Sequence, residues 1–100
     1  MSNYLLIFRG RLEPESPAAQ EAAWATWFDS LGTAIVDRGH RVGRFTTIGA
    51  QAPTHVGTGP DPVTGYVLIQ AESLEAAAEM VKACPILQAG GHVEVGETVT

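Results

Sequence analysis

The stretch from Gly65 to Pro85, GYVLIQAESLEAAAEMVKACP, constrains the fold of this chain more than any other. Tyr66-Val67-Leu68-Ile69 is an unbroken apolar run, rich in β-branched residues, which is the pattern of a strand covered on both faces. Ser73 follows at a helix N-cap position, where its hydroxyl accepts from an orphan N–H of the first turn. Leu74, Ala77, Ala78 and Val81 then fall at i, i+3, i+4 and i+7 and line one helical face. Pro85 stops the helix, because the residue before a proline is pushed out of the α region. Strand, cap, helix and stop thus follow one another within a single short unit.

The rest of the chain fits around this unit. Tyr4-Leu5-Leu6-Ile7-Phe8 is a second run that is apolar on both faces and reads as a strand. After a loop over residues 12–16, Ser16 is placed to cap a helix whose first position is Pro17, where the missing N–H costs nothing. Trp24, Trp27, Phe28, Leu31 and Ile35 keep helical spacing, so the helix is expected to run to Gly39, a left-handed C′ residue. Gly32 then lies inside it at a cost of about 1 kcal/mol, explained by close packing on the sheet. Arg44 to Gly49 reads as a third, more polar strand at a sheet edge. Residues 51–64, rich in Gly, Pro and Thr, read as a mobile loop. Gly90-Gly91 makes a turn into a final alternating strand, His92 to Gly96.

The order is β-α-β-β-α-β, and the expected fold is α+β and ferredoxin-like, one domain over residues 1–100. Its four-stranded antiparallel sheet carries two helices on one face. Right-handed crossovers put the first and third strands in the middle, which suits the two most apolar runs. Two helices leave the second sheet face bare although the central strands are apolar there too. A second copy packed sheet to sheet about a two-fold axis is the simplest cover, so a homodimer is expected. A fold-back of the long loop is the competing cover.

Composition narrows the partners. The net charge is −5 with six Lys and Arg in all, which argues against nucleic acid or an anionic membrane surface. No apolar run approaches the roughly 20 residues needed to span a bilayer, and the N-terminus lacks the pattern of a signal peptide. Cys84 stands alone, so no disulfide framework exists and a reducing cytoplasm is expected. His40, His55 and His92 lack the short spacing of a metal site, and no cofactor motif is present. The glycines near residue 58 precede no helix with a lysine and do not cradle phosphate.

Three segments, WATWFDSLGTAIVDRGHRVG, GYVLIQAESLEAAAEMVKACPIL and GGHVEV, resemble the YCII-related (DGPF-type) family of small bacterial proteins. The likeness spans most of the chain and keeps the family's order of aromatic helix, D-x-G turn, G-Y strand, S-L-E-A-A helix ending in C-P, and G-G-x-x-E-V strand. It implies a dimeric α/β barrel of two ferredoxin-like subunits, with a pocket between sheet and helices. The chain departs from the family where the D-G-P-F signature belongs, carrying Gly59-Pro60-Asp61-Pro62 instead. Some relatives pair a histidine early in the first helix with a downstream aspartate; here that stretch offers Trp24, Trp27 and Phe28, so the pair is not carried over.

Candidate residues follow from the residue types. Asp37 and His40 are close in sequence, and a carboxylate beside an imidazole makes an acid/base near neutral pH. The plainer alternative is a turn in which Asp37 caps loop amides. His92 opens the last strand and faces either a pocket or solvent; His55 lies in the loop. Trp24, Trp27 and Phe28 serve as core, as the wall of a flat apolar site, or as both if one ring is core and another faces the pocket. Cys84, at a helix C-terminus, reads as structural with a raised thiol pKa. Two functions remain. One is a module binding a small apolar or aromatic molecule; the other is a cofactor-independent, lyase- or isomerase-like enzyme moving protons through Asp37, His40 or His92.

Overall fold

The computed structural model describes residues 1–10, 17–43, 45–48, 55–56 and 62–99. In chain order these form β1 (Ser2–Arg9), α1 (Pro17–Leu31), β2 (Ile35–Asp37), β3 (Thr46–Thr47) and β4 (His55–Val56). They continue with β5 (Val63–Ala71), α2 (Leu74–Val81), α3 (Pro85–Gln88) and β6 (His92–Glu97). The main sheet has the order β2-β5-β1-β6, with every pairing antiparallel. The two apolar runs are its central strands, as the ferredoxin-like pattern requires.

Alternation along those strands sorts their side chains. Tyr4, Leu6 and Phe8 of β1, with Val67, Ile69 and Ala71 of β5, are buried on one face. There they meet Trp27 and Leu31 of α1, Ala77 and Val81 of α2, and Cys84 and Ile86 around α3. Full burial of a side chain such as Leu6, Ile69 or Ile86 contributes about 1.5–3 kcal/mol, so this face anchors the fold. On the other face Leu5, Ile7 and Leu68 are only half-buried. Beside them Arg9 pairs with Glu94, both partly exposed. Tyr4 donates from its hydroxyl to Glu97 Oε2 at 3.2 Å, and burial together with that carboxylate pushes the phenol pKa up.

Three expectations change. The first helix does not run to Gly39: it ends at Leu31, a 3₁₀ turn covers Gly32–Ala34, and Ile35–Asp37 is a strand. Ile35 fits the helical period, but Gly32 adopts φ +54° and ends the helix as a left-handed residue. A Cβ there would meet nothing within 4 Å, so close packing on the sheet does not explain this glycine. The sheet edge, secondly, is formed by 35–37 and not by 44–49. Thr46–Thr47 pairs instead with His55–Val56 in a separate two-stranded ladder. β2 takes the edge because pairing with β5 resumes beyond it, through the Arg41↔Gly65 bridge and the Val42 N–H to Thr64 O bond of 2.9 Å. Thirdly, α2 stops at Val81, and Pro85 opens the additional helix α3. Cys84 before it is extended at φ −64°, ψ 131°, the conformation a following proline imposes.

Other features stand as read. Ser73 Oγ accepts from Ala76 N–H at 3.0 Å and caps α2. The expected Ser16 cap, Arg44 and most of the 51–64 loop lie outside the described residues. Among the described residues, no helix is long and apolar enough to cross a membrane.

Candidate functional site

A cleft of about 650 Å³ opens between α1, the ends of the central strands and the segment that follows β2. That volume is in the range of about 300–1,000 Å³ common for small-molecule sites. Trp24 and Phe28 of α1 line it with Phe8 of β1, and Arg38, His40 and Arg41 line it from the segment after β2. Glu21 and Tyr66 complete the lining that bears on chemistry.

The aromatic wall is built by edge contacts. Phe8 and Trp24 meet at 5.2 Å and 78°, Phe8 and Trp27 at 5.9 Å and 80°, and the two indoles at 5.7 Å and 84°. Such T-shaped pairs add about 0.5–1.5 kcal/mol each beyond area burial. The two indoles divide the roles between them. Trp27 is 3% exposed and donates from Nε1 to Met80 O at 3.0 Å, so it is core and does not line the cleft. Trp24 and Phe28 are half-buried and do line it.

The polar side hangs on the backbone after β2. Tyr66 N–H donates to His40 O at 3.2 Å, which lays residues 40–42 along β5. Gly39 makes this approach possible. It adopts φ +67°, and a Cβ there would fall 1.8 Å from Tyr66 O. Arg38 turns back over the Phe28 ring, its guanidinium carbon 4.6 Å from the centroid, a cation–π contact. The His40 and Tyr66 rings lie 6.1 Å apart.

The sequence-level acid/base set does not assemble in one place. Asp37 Oδ1 accepts from Gly39 N–H at 2.8 Å, so the carboxylate holds the turn. No hydrogen bond joins Asp37 to His40 in the described structure. His92 stands on β6 opposite Arg9, at the other edge of the sheet from the β2 side that carries His40. The cleft therefore gathers Trp24, Phe28 and His40 but leaves Trp27, Asp37 and His92 outside its lining. Arg38 and Arg41 were missed as lining residues. Their signal was a local density of positive charge, R-G-H-R, in a chain with six Lys and Arg.

Among the described residues no cluster of three or more His, Cys, Asp or Glu is placed to hold a metal ion. Cys84 is fully buried, and burial pushes its thiol up to about 11. The direction agrees with the sequence reading, but the cause is desolvation and not a helix C-terminus, since Cys84 is the N-cap of α3.

The comparisons with known proteins agree with this architecture. The family model of the YCII-related domain matches residues 12–98. The chain belongs to the YCII-related family. No curated protein matches this YCII-related chain. A solved structure that does is the 5-chloro-2-hydroxyhydroquinone dehydrochlorinase TftG from Burkholderia phenoliruptrix AC1100, in complex with 2,5-dihydroxybenzoquinone. It is 23% identical over 92% of this chain and 90% of its own, with a TM-score of 0.50, and at that identity it shows the shared fold.

Proposed function

We propose that this YCII-related protein binds a small, flat, apolar or aromatic molecule in the cleft beside α1. The observation that carries the reading is the wall itself: Trp24 and Phe28 stand half-buried on the lining while Trp27, one turn of helix away, is sealed in the core. Aromatic surface left open in a concave site, with polar groups grouped on one side, is the usual construction of a ligand pocket. Tryptophan fluorescence titration with single-ring compounds tests it, and 2,5-dihydroxybenzoquinone, the ligand in the TftG structure, is a suitable first probe. Trp24→Leu is expected to weaken binding at least about tenfold in a protein that still folds, its melting temperature lowered by the lost ring pairs with Phe8 and Trp27. Equal affinity in Trp24→Leu and wild type would reject the cleft as the site.

A second reading is supported by His40 on the lining. An imidazole beside a bound carbonyl or phenol moves protons near neutral pH without a cofactor. Turnover abolished by His40→Gln, with ligand affinity kept, would establish this enzyme reading over simple binding. Asp37 acts in it only by shaping the turn that carries His40, and His92 takes a part only if a second subunit brings it close.

The assembly we propose is a homodimer through the open sheet face, where Leu5, Ile7 and Leu68 are left half-covered by their own chain. We place the protein in the cytoplasm on its lone, buried thiol.

A further inference from the structure

The cleft lining has a charge bias opposite to that of the whole chain. The protein carries a net charge of −5, yet among the described lining residues are two arginines, Arg38 and Arg41, and one carboxylate, Glu21. Neither arginine forms an ion pair or side-chain hydrogen bond in the described structure; the ion pairs there are Arg9–Glu94 and Lys82–Glu79. Arg38 is nevertheless held in place, because its guanidinium lies over Phe28. Stacking uses a flat face of the guanidinium and leaves its N–H donors available.

The geometry points to a planar aromatic carboxylate as the ligand class of this cleft. The inference rests on the aromatic-ligand reading above and adds the charge. The ring of such a ligand lies against Trp24 and Phe28. Its carboxylate meets Arg38 and Arg41, whose fork-shaped donors match a carboxylate in two-point contact. The chain's net charge of −5 does not favour anions in general, so discrimination has to come from these contacts at short range.

The test uses matched pairs that differ in charge alone: benzoate against benzamide, and 2-naphthoate against 2-naphthamide. Binding is followed by calorimetry and by tryptophan fluorescence in the wild-type protein and in Arg38→Gln, Arg41→Gln and the double variant. Wild type is expected to prefer each carboxylate at least about tenfold, a difference of about 1.4 kcal/mol. That preference should shrink in either single variant and vanish in the double one, with amide affinity falling much less than carboxylate affinity. Arg41→Gln leaves the Phe28 contact untouched, so it keeps the test open if Arg38→Gln fails to fold. Amides that bind as well as carboxylates, or a preference that survives the double variant, would overturn the charge assignment and leave the aromatic cleft standing. Binding of neither pair at millimolar concentration would overturn both.

Discussion

Replacing Gly39 by Ala tests the link between backbone geometry and the cleft. Gly39 and Gly32 are both left-handed, at φ +67° and +54°, so an alanine at either costs about 1–2 kcal/mol of backbone strain. Their surroundings differ completely. At Gly32 the added methyl meets nothing within 4 Å, whereas at Gly39 it falls 1.8 Å from the carbonyl oxygen of Tyr66 and 2.7 Å from its carbon. Those are backbone atoms of a central strand and have nowhere to go. Residues 39–42 must lift from β5 instead, loosening the Tyr66 N–H to His40 O and Val42 N–H to Thr64 O bonds. At about 0.5–1.5 kcal/mol for each bond, Gly39→Ala should lose about 2–5 kcal/mol in all, against about 1–2 for Gly32→Ala. Urea denaturation with both variants measures the difference. Amide exchange should show Tyr66 and Val42 deprotected in Gly39→Ala alone. Because the lifted segment carries His40 and Arg41 and adjoins Arg38, ligand affinity should fall with it. Equal stability losses within about 0.5 kcal/mol at the two glycines would refute the close-approach argument.

Other outcomes can be checked more briefly. Cys84 keeps its proton to about pH 11 in the native state but loses it near 9.0 when unfolded, so the unfolded state binds fewer protons above pH 9 and stability falls as pH rises from 9 to 11. The upper bound for that loss is about 2.7 kcal/mol; a Cys84→Ala variant measured across the same range should show a visibly shallower decline. Ser73→Ala should cost about 1 kcal/mol in thermal denaturation through loss of the bond to Ala76 N–H, and Ser73→Asp should retain most of that stability. Leu5→Glu together with Leu68→Glu should convert a dimer into a folded monomer by sedimentation velocity; a variant that sediments like wild type would remove the open sheet face as the interface.

Much of the fold was legible because its central strands and α2 are locally consistent. YLLIF and YVLI are apolar at every position, and Ser73 caps α2 as its place in the sequence requires, although of the expected stripe Ala77 and Val81 are buried while Leu74 and Ala78 are exposed. The misreading at residues 32–39 has a physical origin. Ile35 satisfies a helical period by coincidence, and the conformation of Gly32 is a backbone property that no side-chain pattern records. The same limit applied to the site. Trp24 and Trp27 are identical in type and three residues apart, and only the packing of Trp27 Nε1 against Met80 O, across 53 positions of sequence, decides which indole is core. Asp37 and His40 are neighbours in sequence, but the nearest amide, that of Gly39, takes the carboxylate.

The segment after β2 joins the fold through main-chain bonds to β5, and its three cleft-facing side chains, Arg38, His40 and Arg41, are all exposed. The chemistry of the cleft is therefore written on residues whose replacement disturbs no core packing, while a glycine at 39 preserves the scaffold beneath them. Such a site can be re-specified at little cost to folding. Divergence of ligand among chains sharing this architecture should concentrate at these three positions, and an engineer seeking new selectivity would begin there.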